Sequence, residues 1–397
     1  MVPENQQIQR DATLLFQQVQ KIDLQKLGLN FLGSSPPELF VGKFNYPNVY
    51  TGILAPVQHD ESSYKLSNPE EWFKEKLSIP QILANRGSLI YSRFTSNVKQ
   101  PSGTKLLEVM QEVSMAEKPC DVEFLLKKKP TIKIEFDRHA HPVGNPAPLE
   151  KATLTENPSI PTKVEKIVND YDLKAQEGVQ ILYKHELPVS SLIKLFSAGL
   201  LGVKKQRILV PSRWSVTAVD DTISKWLLDQ VQSHQIISEY QVFSGEYLGN
   251  HYEFLLIPRP WSFEVLETRT TNPIEAWLPY FSKDYESAFG RKKYATSVTG
   301  AYYANRVGVC EYLNKIKRQA SVLVMREVRP EYYAPLGVGI LREVTRSAFN
   351  NKPRCFATIE EAKKDIQTRL HLSVEAFCKE SNLLKETKQQ MTLGIYN

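Results

Sequence analysis

The sequence predicts an α+β fold of mixed helices and largely antiparallel sheets, with two domains and a flexible C-terminal tail. Three observations carry this. Helical and strand periodicities come in runs, without regular βαβ alternation. The clearest strand region, "EYQVFSGEYLGNHYEFLLIPRPWSFEVLE" (Glu239 to Glu267), holds a Gly249–Asn250 pair suited to a two-residue hairpin turn. The chain, at 397 residues, is long enough for two or three cores.

Taken in order, Pro3 to Leu27 spaces Ile8, Leu14, Leu15, Val19, Ile22, Leu24 and Leu27 as an amphipathic helix. Leu32 to Pro56, rich in glycine, proline, aromatic and β-branched residues, reads as two short strands joined by tight loops. "NPEEWFKE" and "GTKLLEVMQEVSMAEK" read as helices, and Asp121 to Asp137 alternates like a hairpin. Pro161 to Gly202 is helical, and Arg207 to Val210 is a short strand. Ser212 caps a long helix reaching Gln232. Beyond the irregular stretch Glu267 to Tyr294, helices recur at Val298 to Arg318 and Pro335 to Asn350, with the strand Ala320 to Val328 between them. Two shorter helices follow Thr358 and Ser373.

A net charge of +6 permits a polyanionic partner without requiring one. Cys120, Cys310, Cys355 and Cys378 lie far apart with no CxxC pair, which argues against a disulfide scaffold or zinc ribbon and fits a reducing cytosol. No apolar run is long enough to span a bilayer and no signal-peptide core opens the chain, so we expect a cytoplasmic protein with no membrane partner. The phosphate-loop, dinucleotide, GxSxG and HExxH patterns are all absent, and no cofactor is assigned.

Several polar groups are candidates for chemistry. Asp137, His139 and His141 alternate after a predicted strand, where they could share one side and hold a divalent metal. A polar strand end meeting solvent explains them more simply, and we assign no metal. Asp220 and Asp221, with Arg213 near the start of their helix, suit a magnesium-binding or acid/base pair. Neighbours on a helix point about 100° apart, so one aspartate facing water and one in a salt bridge is the simpler account. "PRPWSFE" and "REVRPEYYAPLG" close strands with Arg259, Trp261, Arg326, Arg329, Tyr332 and Tyr333, which could bind phosphate and stack a base, or pair with Glu327, Glu331 and Glu343 and plug a core. Basic clusters lie at Leu126 to Pro130, Val203 to Arg207 (with Lys204 and Lys205), Gly290 to Lys293 and Lys315 to Arg318, and Lys43 adds a further cation. Asp172 to Gly199 has the outline of a helix-turn-helix, with Ser190 or Ser191 able to cap the second helix.

Six phrases now stand in order: "SSPPELFVGKFNYPNVYTGILAP", "LTENPSIPTKVEKIVNDYDLKA", "LVPSRWSVTAVDDTISK", "LLIPRPWSFE", "GAYYANR" and "REVRPEYYAPLGVGILRE". Together they resemble the conserved blocks of the archaeal Nre DNA-repair family, from about Phe31 to Phe377. The resemblance implies an N-terminal domain at 1–275, a C-terminal domain at 276–380 and a tail at 381–397. The absence of cysteine before Cys120 is similar to the branch that lacks an N-terminal zinc finger. It implies a DNA-damage repair factor that binds the PCNA-type sliding clamp through a C-terminal peptide, with DNA as second partner, and is nucleoid-associated when acting. The alternative is an enzyme acting on DNA or a nucleotide in a cleft lined by Arg213, Asp220, Asp221, Arg259 and Glu327.

The tail "KQQMTLGIYN" fits the clamp-binding pattern Q-x-x-(aliphatic)-x-x-(aromatic)-(aromatic) at Gln390, Leu393 and Tyr396. Residues three apart stack on one face of a 3₁₀ turn, so Leu393 and Tyr396 can enter an apolar pocket while Gln390 bonds at its rim. Asn397 stands where a second aromatic belongs, which weakens the expected grip.

Overall fold

The computed structural model describes residues 13–17, 27–270 and 280–386. They fall into two compact units, one running up to Ile223 and adding Tyr333–Gly339, the other comprising Ser224–Tyr332 and the chain from Ile340 onward. The division expected at 275/276 lies outside the described residues; the two compact units part within the helix Ser212–Val231. The fold class is α+β, as predicted.

In the first unit, β1 (Asn30–Ser35), β2 (Glu38–Val41), β3 (Asn48–Ala55), β4 (Ile90–Asn97), β5 (Cys120–Leu126) and β8 (Pro146–Leu154) form one sheet in the order β1-β5-β8-β4-β3-β2. Only the β4–β8 pair is parallel. Two short strands, β6 (Ile134–Glu135) and β7 (Val143–Gly144), pair separately. The hairpin expected over 121–137 is therefore divided: β5 pairs with β1 and β8, and β6 turns to β7. The helix Lys105–Met115, capped by Thr104, buries Leu107, Met110 and Val113 at helical spacing and packs on the helix Val189–Ser197 and on the sheet. Residues 207–210 are not a strand, although Leu209 and Val210 donate single backbone bonds to Val98 and Ser197. The Ser212 hydroxyl accepts from the Val41 amide at 3.0 Å, joining the long helix to β2.

In the second unit, β10 (Tyr240–Tyr247), β11 (Asn250–Ile257), β12 (Ser262–Arg269), β13 (Ser282–Glu286), β15 (Ser321–Val328) and β16 (Arg354–Phe356) form a sheet in the order β13-β12-β15-β11-β10-β16. Here β12–β15 is the parallel pair, and β9 (Gln235–Ile236) with β14 (Arg318–Gln319) makes a separate short one. The hairpin turn sits one residue earlier than expected, at Leu248 and Gly249, because Tyr247 pairs with Asn250. Both turn residues have positive φ, 53° and 76°, the geometry that matches strand twist. A side chain at Gly249 would come within 2.6 Å of the Tyr332 amide, so glycine is required there.

One face of this sheet holds Val242, Leu255, Ile257, Leu266, Leu323 and Met325 against the helices Ile359–Gln367 and Val374–Glu380. Residues 381–386, expected in the tail, belong to this folded unit, with Leu383 and Leu384 in the same core. Towards the sheet end that face becomes polar. Glu253, fully buried, meets Arg369 at 2.9 and 3.0 Å, His251 at 3.0 Å and the Ser244 hydroxyl at 2.7 Å. Arg369 also reaches Asp365 at 2.6 Å, which Arg354 shares at 2.9 Å. Truncating Arg369 leaves the buried Glu253 carboxylate short of its main cation. Arg369→Ala is expected to cost about 3–5 kcal/mol in urea unfolding, and Arg369→Lys to recover only part because the fork is lost.

Candidate nucleic-acid interface

The turn from β2 to β3 closes through Gly42 N–H to Tyr50 O at 2.8 Å and Asn48 N–H to Asn45 O at 2.9 Å, with Asn45 at φ 61°. It leaves Phe44 71% and Tyr46 47% exposed. Along β3 the alternation buries Val49 and Thr51 and turns Tyr50 outward, 45% exposed. Arg93 on β4 lies over the Tyr50 ring at 4.1 Å, a cation–π contact. Trp214, in the first turn of the long helix and 47% exposed, lies 5.9 Å from the Tyr46 ring.

Asp137 ties these pieces together. Its carboxylate accepts from Lys43 at 3.2 Å, Arg213 at 3.0 Å, and the amides of His139 and Ala140 at 2.8 and 3.3 Å. The Lys43 ammonium also lies 5.2 Å from the Phe44 ring. Partial burial raises the Asp137 carboxyl, but the His139 amide, Arg213, the Ala140 amide and Lys43 outweigh it and hold the group below its usual range. Exposed Phe44, Tyr46 and Trp214 thus stand beside Lys43 and Arg213, and Tyr50 on the neighbouring strand carries Arg93. Such rings can stack bases while the cations meet phosphates.

Asp137, His139 and His141 do not converge on a metal. Asp137 serves the two cations, His141 packs its ring 5.0 Å from Trp72, and no group of three ligating side chains occurs among the described residues. Arg213 joins the surface, whereas Asp220 on the same helix is buried and Asp221 half-buried. Lys204 and Arg207 flank the Tyr171 ring at 4.6 and 5.0 Å, with Lys205 exposed beside them. Arg207 is structural as well, donating to the carbonyls of Gly202, Val168 and Asp170. Every residue of the helix Val189–Ser197 is at least partly covered, so no open face remains to enter a groove, and its N-cap is Pro188 rather than a serine.

The remaining candidates lie in the second unit, apart from the half-buried Tyr333 in the first. Arg259 and Tyr332 are half-buried. Trp261 is buried, its indole donating to Glu286 at 3.0 Å. Arg326 is buried against Glu267 and Asn250, and Glu327 accepts from Arg329 at 3.2 Å and from the amides of His371 and Leu372 at 3.1 and 2.8 Å. As consecutive strand residues, Arg326 and Glu327 point to opposite faces of their sheet and share no cleft. Phe44, Tyr46, Tyr50, Arg93 and Trp214 are absent from the sequence-based candidates. For Phe44, Tyr46 and Tyr50 the signal is aromatic residues in and beside a Gly/Asn/Pro turn; Arg93 and Trp214 carry none in the sequence.

Burial first, then Arg213, Lys43 and Arg138, push His139 down to about 4 against the pull of Asp137. Above about pH 6.5 the imidazole is neutral folded or unfolded. Between there and about 4 only the unfolded chain takes the proton, so stability falls with pH across that window. The Asp137 contribution has the same sign over a lower window, present above about pH 3.9 and lost as pH falls through its lowered folded value. His139→Asn is therefore expected to lose less melting temperature than the native protein between pH 7 and pH 5.

Comparison with known proteins also gives two parts, divided between residues 274 and 286. The model described as "Archaeal Nre, N-terminal" matches residues 12–274, and "Archaeal Nre, C-terminal" matches 286–396. DNA repair protein NreA of Haloferax volcanii is 36% identical over 366 residues, covering 90% of this chain and 87% of the relative. DNA repair protein NreB of Archaeoglobus fulgidus is 36% identical over 372 residues, covering 91% and 90%. DNA repair protein NreA of the same organism is 38% identical over 343 residues, covering 85% and 84%. No solved structure matches. With both family models matched in order along nearly its whole length, the chain belongs to the archaeal Nre family.

Proposed function

We propose that this chain is a DNA-repair protein that holds DNA on the aromatic and basic surface of its first unit and is recruited by a PCNA-type sliding clamp. The exposed set Phe44, Tyr46, Tyr50 and Trp214, interleaved with Lys43, Arg93 and Arg213, carries the DNA-binding part. Rings left in water and braced by cations are suited to bases and phosphates, and the relatives are named DNA repair proteins. The clamp part is supported by the spacing of Gln390, Leu393 and Tyr396, which lie outside the described residues. Among the described residues no helix is long and apolar enough to cross a membrane.

Titrating a labelled single-stranded oligonucleotide at several salt concentrations tests the surface. Tyr46→Ala and Trp214→Ala are each expected to weaken binding by about 1–3 kcal/mol with the salt slope unchanged. Arg93→Ala is expected to lower that slope by about 0.7. Identical isotherms for all three variants would remove this surface from the proposal. For the tail, the double variant Leu393→Ala, Tyr396→Ala should lose retention on immobilised purified clamp. Asn397→Phe should tighten it by about 1–3 kcal/mol, since it restores the second aromatic anchor.

A further inference from the structure

Among the large apolar side chains described, Phe289 is the most exposed, at 99%. It stands at the tip of the turn that ends β13, closed by Gly290 N–H to Ser287 O at 2.9 Å, with Gly290 at φ 74°. The turn is held firmly. Arg291 pairs with the buried Asp284 at 2.9 Å and donates to the carbonyls of Tyr285, Lys293 and Tyr294 at 3.2, 3.1 and 3.3 Å. Its guanidinium also lies 5.1 Å from the Tyr302 ring. Asp284 in turn accepts the amides of Thr296, Ser297 and Val298 at 3.2, 2.9 and 2.7 Å. Behind the tip, the Gln232 amide donates to Ala288 O at 3.2 Å. This scaffold presents one bare ring at a defined place, with exposed Lys292 and Lys293 beside it.

We propose that Phe289 is a stacking wedge that lies against a nucleobase of bound DNA while Lys292 and Lys293 meet the flanking phosphates. The proposal rests on the reading of this chain as a DNA-binding repair protein. Phe289, with the half-exposed Tyr294 on the same turn, is too small for the apolar centre of a protein interface, and a bilayer anchor uses a whole apolar face. A base offers one flat face of matching size, and its phosphates match the two ammonium groups. The base can come from an unpaired strand or from a duplex step that the ring opens.

Full-length protein is titrated against two oligonucleotides carrying 2-aminopurine, one single-stranded and one duplex with the probe at its centre. A stacked probe is quenched and an unstacked one brightens. We expect quenching of the single-strand probe if the wedge takes an unpaired base, or brightening of the duplex probe if it opens a step. Phe289→Ala should abolish the optical change and weaken binding about five- to 150-fold, the range of one base–aromatic stack, while Phe289→Trp retains both. The double variant Lys292→Ala, Lys293→Ala should lower the single-strand salt slope by about 1.4. An unchanged signal and affinity in Phe289→Ala, with Trp214→Ala still defective, overturns the wedge and leaves the DNA-binding reading intact. No DNA binding by the native protein overturns both. Phosphatidylserine vesicles that bind the native protein and not Phe289→Ala, with DNA signals equal, would assign the ring to lipid instead.

Discussion

Glu253 lies on β11, a strand with no exposed residue, and a carboxylate there is tolerable only where cations and donors reach it. Arg369 and Arg354 come from more than a hundred residues along the chain, and His251 comes from two residues away. Glu327 imposes the same demand one strand over, and Arg329 answers it while also holding Glu246 at 2.9 Å. Because Glu327 also accepts the amides of His371 and Leu372, the chain after the helix Ile359–Gln367 has one place to turn back. That return seats Leu370, Leu372 and Phe377 in the core. The polar demand thus sets the register of the apolar packing beside it.

The first unit buries Glu38 against Arg86 and Lys194, but at Asp137 it handles charge in the opposite way. Asp137 is only partly buried and draws Lys43 and Arg213 to the surface instead of inward. Ion pairs this exposed contribute little to stability. Their effect is positional: Lys43 is held on the β2–β3 turn and Arg213 at the start of the long helix, beside Phe44 and Trp214 respectively. A fold needing only a core would have no use for exposed Phe44, Tyr46 and Trp214 beside such a pair.

Local signals were legible wherever short-range physics decides the outcome. The β10–β12 run, the helices on either side of β15 and the caps at Thr358 and Ser373 all follow from alternation, spacing and side-chain oxygens. The roles of charged residues were not legible, because partners lie far apart in sequence. Nothing near Glu327 announces Leu372, and only the strand register separates it from Arg326. Trp261 and the helix Val189–Ser197 show the same limit: composition suggested binding surfaces, and tertiary packing covered them. Conversely Phe44 and Phe289 sit in turns that read as ordinary loops, since exposure is a property of what does not pack there.

The root of the tail ties the second unit to the clamp proposal. Glu264, buried on β12, accepts the amides of Asn382 and Leu383 at 2.9 and 3.0 Å and the Ser381 hydroxyl. Burial raises this carboxyl above its usual range, against the opposing pull of those donors and of Lys283. Lys283 also binds the Glu380 carbonyl, and the Tyr285 hydroxyl binds Glu386. The chain is therefore fixed as far as Glu386, and four residues of extended backbone span at most about 14 Å. A clamp gripping Gln390 must bind within that distance of β13. Phe289 is itself four residues beyond Tyr285 on the same stretch of chain, so under the clamp proposal the root of the tail and the exposed ring share one strand and its turn.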